Sequence, residues 1–362
     1  MNIEDELRTD CRYFLGDRPC KFHKESGVEC NDCNNYDKIE KRILIVKLGA
    51  LGDVIRTTPL LRKLKQLYPS CEITWISQYP EILPKLVDIP LKFNVMNIAK
   101  LQADKFDILY SLDKDNEACA LANLVKADEK KGFKLVNGKS YPIDEDSVHK
   151  YRTGISDNLN RTNTKSYPEE AFEIVGLEYN KEKYLLDKPK KLVHAELDRI
   201  KRPIIGLNTG CSPRWKTRIW PIEHWIELAN MLKEAGYTPL LLGGPDEDEK
   251  NKYIAQNSSA RYLGVFEIDD FVSLVDEIEL MVTGATMALH IGIALEKKIV
   301  LMNNIFNKNE FELYDLGEVV QPLEDDKPLD CAGCFKGECE RSCMELITPK
   351  HIFDSVIKLM TQ

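Results

Sequence analysis

The run "RILIV" gives way to "KLGALGD", so the first long apolar stretch of the chain ends in a glycine turn that closes on a carboxylate. Gly49 and Gly52 are expected to let the backbone turn tightly and approach a ligand, and Asp53 falls at the mouth of the helix that follows. Two readings of Asp53 stand side by side: an N-cap of that helix, or a general base that takes the proton of an attacking hydroxyl. The glycines are spaced G-x-x-G, and the next strand, "CEITWIS", ends without the acidic residue that would hold a ribose. A nicotinamide site is therefore not indicated. A second chemical set is basic: "CSPRWKTRIWP" places Arg214, Lys216 and Arg218 between a strand and a helix. Cations and a helix N-terminus at such a place can bind an anionic substrate.

The third set is thiol-rich. Of 11 cysteines, only Cys71, Cys119 and Cys211 are scattered through the body of the chain. Cys11, Cys20, Cys30 and Cys33, with His23 as a possible substitute ligand, form one cluster; Cys331, Cys334, Cys339 and Cys343, spaced C-x2-C-x4-C-x3-C, form the other. In a long chain without a secretory leader this is a ligand pattern rather than a disulfide framework. Zinc and iron, the latter including an iron–sulfur cluster, both suit four thiolates, and spacing does not choose between them. The expected role is structural at one or both clusters, with no catalytic metal.

The elements that must position these groups follow from periodicity. After a cysteine-bearing preface (residues 1–41), "RILIVKLG", "DVIRTTPLLRKLKQLYP" and "CEITWIS" read as strand, helix and strand. Beyond a charged stretch, "RPIIGLNTG", "PIEHWIELANMLKEAGY" and "TPLLLGG" begin a second such series, which continues through "KIVLMN". Two βα series imply an α/β chain of two doubly wound, Rossmann-like domains facing one another across a cleft, with cysteine-rich terminal segments. The expected boundaries are 1–41, 42–190, 191–327 and 328–362. Residues 126–170 are polar, break the alternation and read as a long functional loop. A formal charge of −9 opposes a nucleic-acid partner. The acidic "MNIEDELRTDC" is unlike a leader, and no apolar run approaches the roughly 18 residues of a membrane span, so the expected location is cytoplasmic with at most peripheral membrane contact.

At this point "ILIVKLGALGDVIRTTPLLRKLK", "WKTRIWPIEHW", "LLLGGPDEDE", "GATMALHIGIAL" and "CAGCFKGECERSCMELI" occur in an order that resembles glycosyltransferase family 9, the heptosyltransferases of lipopolysaccharide assembly. The resemblance implies a GT-B fold, an acceptor on the first domain and a nucleotide sugar on the second, with inversion at the anomeric carbon. It puts Asp53 at the family's catalytic aspartate, and Arg218 where the family carries a phosphate-contacting lysine before its Trp-Pro pair. It also makes Thr209, Gly210, Lys216, Gly243 and Gly244 donor-side residues and Glu247 a ribose contact, although a glutamate in a first helical turn is also common. ADP-heptose is the implied donor and a glycan or lipopolysaccharide-like molecule the implied acceptor. Tyr141, Tyr151 and Tyr167 are available to stack on sugar rings. The thiol pattern near the C-terminus is similar to one that the family's autotransporter heptosyltransferases use to bind iron.

One departure stands out. The family's aspartate at the end of a donor-side strand is Ala285 here, followed by Thr286 and Met287, with His290 in register. A change of donor, a loss of activity and an introduced alanine all account for it, and the third fits the closeness of the flanking match. A competing function is a non-catalytic nucleotide-sugar-binding or redox-sensing protein with metal clusters on a transferase fold. A GT-B epimerase is a third reading, poorly served by the carboxylates present. Oligomeric state is not legible.

Overall fold

The computed structural model describes residues 6–188, 194, 196–211 and 215–362. Its described residues form two compact units, one drawn from Met1–Gly49, Thr58–Val148 and Ala171–Glu178, the other from Ala50–Thr57, His149–Glu170 and Tyr179–Gln362.

In the first unit, strands β1 (Lys41–Val46), β2 (Cys71–Ser77), β3 (Ile89–Lys92), β4 (Lys105–Ser111), β5 (Lys126–Val136) and β6 (Lys139–Pro142) form one sheet in the order 3-2-1-4-5-6. All pairings are parallel except β5 with β6. Ile43 to Val46 are fully buried, which is why β1 reads as an unbroken apolar run rather than an alternating one. Each such side chain contributes about 1.5–3 kcal/mol by leaving water.

The second unit repeats the plan. Strands β7 (Ile204–Asn208), β8 (Thr238–Leu242), β9 (Arg261–Tyr262), β10 (Leu280–Gly284), β11 (Lys298–Met302) and β12 (Gly317–Val320) take the order 12-11-10-7-8-9, all parallel. The C-terminal helix Pro349–Thr361 buries Ile352, Val356 and Leu359 in the same core as Trp225, Leu228 and Leu232 of the helix Ile222–Glu234. Among the described residues no helix is long and apolar enough to cross a membrane.

Three expectations are corrected. The helix expected after the glycine turn is two helices, Leu51–Ile55 and Pro59–Leu67, because Pro59 has no N–H to continue the first and opens the second at its first position. Asp53 is not an N-cap: Ala50 holds that place and Asp53 lies inside the first turn. Residues 126–170 are not a loop but supply β5, β6 and the helices Val148–Ile155 and Asp157–Thr162. Within β5 only Gly132 and Phe133 are buried, so the strand lacks the apolar signature that would have revealed it.

Candidate active site

The short helix Leu51–Ile55 packs against the helix Met287–Ala294 within the second unit. Gly52 makes the approach possible: a Cβ there would stand 2.6 Å from His290 Cδ2. Its φ is not positive, so the glycine serves close packing rather than turn geometry. This placement carries Asp53 into a charged chain. Asp53 Oδ1 is 2.8 Å from Arg56 Nη2, and Arg56 Nη1 is 2.7 Å from Glu310 Oε1. The Arg56 guanidinium lies 3.5 Å from the centroid of the Tyr167 ring, so that buried tyrosine serves the arginine on one face rather than standing open to a sugar. Burial works against the Arg56 charge, but Asp53 and Glu310 outweigh it and hold the pKa above the usual arginine range. Arg56 side-chain exposure is 12%, whereas Asp53 keeps 34% and is reachable from solvent.

His290 is buried beneath Tyr184, ring centroids 6.1 Å apart, with no hydrogen-bond partner at Nδ1. Burial, then the Arg56 cation, push its pKa from 6.5 down to about 3, with Asp53 opposing. It is therefore neutral at neutral pH and brings no positive charge to a phosphate. The unfolded chain takes up this proton below pH 6.5 while the folded chain resists until pH nears 3, so stability present above pH 6.5 is lost as pH falls between those values. At pH 5 the loss is about 2 kcal/mol. His290→Gln should remove that part of the acid dependence, read as a flatter fall in unfolding free energy between pH 7 and pH 5 in a denaturant series.

On the donor side, Arg218 closes a turn of 3-10 helix, Lys216–Arg218. Its Nη2 donates to the Ala285 carbonyl, and its Cζ lies 4.9 Å from the centroid of Phe306. Burial lowers its pKa, partly offset by Cys211 and Glu310. Ion pairs thus join Asp53, Arg56 and Glu310, and a hydrogen bond joins Arg218 to Ala285, so one unit holds sequence-predicted positions far apart in the chain. Lys216 goes elsewhere: 71% exposed, its Nζ is 3.4 Å from Glu338 Oε1. Arg214 lies outside the described residues.

Thr286 caps the helix Met287–Ala294 with extended backbone, and its hydroxyl accepts from Asn208 Nδ2 at 3.1 Å. No side chain caps that helix. Met287, its first residue, is exposed. Thr209 turns its hydroxyl to Asn251 Oδ1, 2.6 Å away. Gly210 and Gly243 are held close by Glu247, to which a Cβ on either would stand at 3.3 and 2.8 Å. Glu247 Oε2 accepts from the Gly244 N–H at 3.0 Å, so part of this carboxylate is engaged in helix capping.

Several residues escaped sequence reasoning. Arg56 carried a signal, being three residues beyond Asp53 on one helical face. Glu310 carried none. Lys250, three residues after Glu247, has its Nζ 2.8 Å from the Thr209 carbonyl, with its pKa lowered chiefly by burial. In the first unit, buried Asp113 pairs with Lys47 and accepts from the N–H groups of Leu48 and Gly49. A Cβ on Gly49 would stand 3.3 Å from Asp113 Oδ1, so this glycine too admits a neighbour.

The Cys343 thiol is pushed up by burial, against a hydrogen bond from Asn304, and further by the charges of Cys334, Cys331 and Cys339. This segment docks on the Arg218 turn, where Thr217 Oγ1 donates to the Lys336 carbonyl at 2.8 Å and Asn304 Nδ2 to the Thr217 carbonyl at 2.7 Å. Cys11, Cys20, Cys30 and Cys33 are half-buried in the first unit. Among the described residues no three His, Cys, Asp or Glu side chains are gathered at one coordination point.

Comparison with known proteins places these observations. Residues 97–310 match the family described as glycosyltransferase family 9 (heptosyltransferase). Lipooligosaccharide heptosyltransferase 2 of Haemophilus influenzae is 23% identical over 301 residues, covering 72% of this chain and 82% of that protein. A glycosyltransferase family 9 structure from Veillonella parvula superposes with a TM-score of 0.68 at 18% identity, covering 89% of this chain and 98% of the other. The structure of Escherichia coli ADP-heptose lipopolysaccharide heptosyltransferase II gives 0.60 at 19%, covering 89% and 99%. At these identities the likeness to the solved structures is one of fold, the α/β GT-B architecture expected from the sequence.

Proposed function

Because this chain belongs to glycosyltransferase family 9 (heptosyltransferase), we propose that it transfers a heptose from ADP-heptose to a hydroxyl of a lipopolysaccharide-type glycan, with inversion and with Asp53 as the base. The observation that carries the reading is that the ion-pair chain Asp53–Arg56–Glu310 shares one unit with Arg218, whose cation the Glu310 charge favours. The names of the relatives support the donor and acceptor classes.

In the proposed reaction the acceptor oxygen attacks the anomeric carbon as its proton passes to Asp53. The bond from that carbon to the phosphate oxygen breaks, and its electron pair leaves with ADP. Arg56, fixed between two carboxylates and the Tyr167 ring, positions Asp53. The charge that grows on the leaving diphosphate falls to Arg218 and to the uncapped start of the helix Met287–Ala294, with Lys250 beside the Thr209–Gly210 turn as a further cation. Gly243, Gly244 and Glu247 line the donor side in this reading, and Lys216 does not. Cys331, Cys334, Cys339 and Cys343 are the residues that would hold a structural zinc or iron ion, which would stiffen the segment docked on the Arg218 turn.

Ala285 favours a second reading, binding of the nucleotide sugar without turnover. Ala285→Asp restores a carboxylate next to the guanidinium that already bonds this residue's carbonyl, and is expected to raise kcat/KM for ADP-heptose about 10–100-fold, the worth of a hydrogen bond to a charged group. Calorimetry with ADP-heptose, UDP- and GDP-sugars on both forms, followed by a turnover assay, tests both readings. Binding without turnover in both forms supports the second, and no binding of any nucleotide sugar by either overturns both.

A further inference from the structure

The segment ahead of β1 is folded without a core of its own. None of its described residues from 6 to 40 is buried, and the helix Lys21–Ser26 buries nothing. It is tied down by the Tyr13–Phe22 ring contact, centroids 4.9 Å apart, by Arg8 over the Tyr36 ring, and by a few polar contacts. Cys11 bridges to Lys38, and the Arg12 side chain reaches Asp37 at 3.0 Å, Asp88 at 2.7 Å and the Cys71 carbonyl at 3.1 Å. A stretch this short and polar does not bury enough apolar surface to offset the entropy of ordering it. Something else must hold it.

Cys11, Cys20, Cys30 and Cys33 all line a single cavity of about 290 Å³, and all four are free thiols. The local backbone prepares two of them as a pair. Cys30 begins a turn of 3-10 helix that Cys33 closes by donating its N–H to the Cys30 carbonyl at 3.4 Å, the C-x2-C arrangement that offers two sulfurs to one ion. Cys20 stands at the head of the helix Lys21–Ser26, and Cys11 on the strand-like bridge to Lys38. Arg8 and Arg18 line the same cavity. Four thiolates around a divalent ion carry a net charge of about −2, which Arg8 and Arg18 would partly balance and Glu29, also in the lining, would not.

We propose that this segment is a metal module in which Cys11, Cys20, Cys30 and Cys33 bind one tetrahedral zinc-class ion as thiolates. The side chains turn into the cavity to reach the ion, four protons leave, and the binding free energy serves as the folding free energy of residues 6–40. Arg12, next to Cys11, then fastens the loaded module to the edge formed by Cys71 and Asp88. The role is structural and independent of the transferase reaction.

Full-length protein purified without oxygen or added chelator gives the test, with metal content measured by plasma mass spectrometry. The Cys30→Ser/Cys33→Ser variant should lose about one zinc per chain relative to the parent, whereas Cys331→Ser/Cys334→Ser should keep that ion. In the latter background, exchange with cobalt should give thiolate-to-cobalt absorption that disappears when Cys30 and Cys33 are also replaced. On the parent protein, zinc removal should speed alkylation of Cys11, Cys20, Cys30 and Cys33 at least about tenfold as mapped by peptide mass. That reading survives even if the variants fold poorly. Unchanged metal on replacing Cys30 and Cys33, a disulfide among the four in freshly purified protein, iron–sulfur absorption lost with these cysteines, or alkylation indifferent to zinc would each overturn the proposal.

Discussion

Asp53→Asn lowers kcat for heptosyl transfer about 10²–10⁴-fold, the usual worth of a positioned general base, and leaves the affinity for ADP-heptose within about twofold, since no donor contact is assigned to this side chain. Asparagine keeps the shape and a hydrogen-bonding oxygen but cannot accept the acceptor's proton. The substitution is a clean probe because the fold tolerates it. Arg56 retains Glu310 at 2.7 Å and the Tyr167 face, so its charge is not abandoned. The lost pair with Asp53 involves a side chain 34% exposed, for which about 1 kcal/mol or less is the measured range. Single-turnover kinetics with preloaded donor separates chemistry from binding. A loss under about tenfold in the chemical step, or weaker donor binding that accounts for the whole effect, removes Asp53 from the role of base. Glu310→Gln is the companion measurement: a positioning residue should change kcat modestly while Asp53 keeps its pH profile.

Much of this arrangement was legible in the chain, for physical reasons that also explain what was not. "RILIV", "IIGLN", "LLL" and "KIVLM" announce themselves because parallel strands buried on both faces carry unbroken apolar runs. Two such series separated by a charged stretch imply the α/β fold, whereas the family follows from the resemblance carried by the motifs. β5 was missed because only Gly132 and Phe133 of its residues are buried, leaving the polar text of a loop. The glycines of "KLGALGD" were visible, but their purpose was not, since Gly52 answers to His290 and Gly49 to Asp113, both supplied by remote parts of the chain. Arg56 and Glu310 lie 254 residues apart, and no local pattern reports such a pair. Lys216 and Arg218 look equivalent on paper. On a turn of 3-10 helix, residues two apart face different ways, and one meets Glu338 in solvent while the other lies half-buried against Ala285 and Phe306.

That divergence sets the second large effect. Arg218→Met lowers kcat/KM about 10²–10³-fold, the range for removing a preorganised donor to developing negative charge, while Lys216→Met changes it less than about twofold, as for an exposed ion pair. The reason is environment. Arginine starts from so high a pKa that the lowering caused by burial leaves it charged, and a charge in a poorly solvated place acts on a diphosphate with little screening. Arg218→Lys should recover only part of the loss, because the ammonium keeps the charge but not the fork that bonds the Ala285 carbonyl and a phosphate together. A purely structural role would also reduce activity, so the deciding measurement is binding of ADP against adenosine. If Arg218 meets the phosphates, Arg218→Met weakens ADP and spares adenosine, and the advantage of ADP over adenosine collapses. If both ligands weaken alike, Arg218 holds the turn and the end of β10 in place without touching the donor, and the leaving-group charge must be carried by Lys250 and the start of the helix Met287–Ala294.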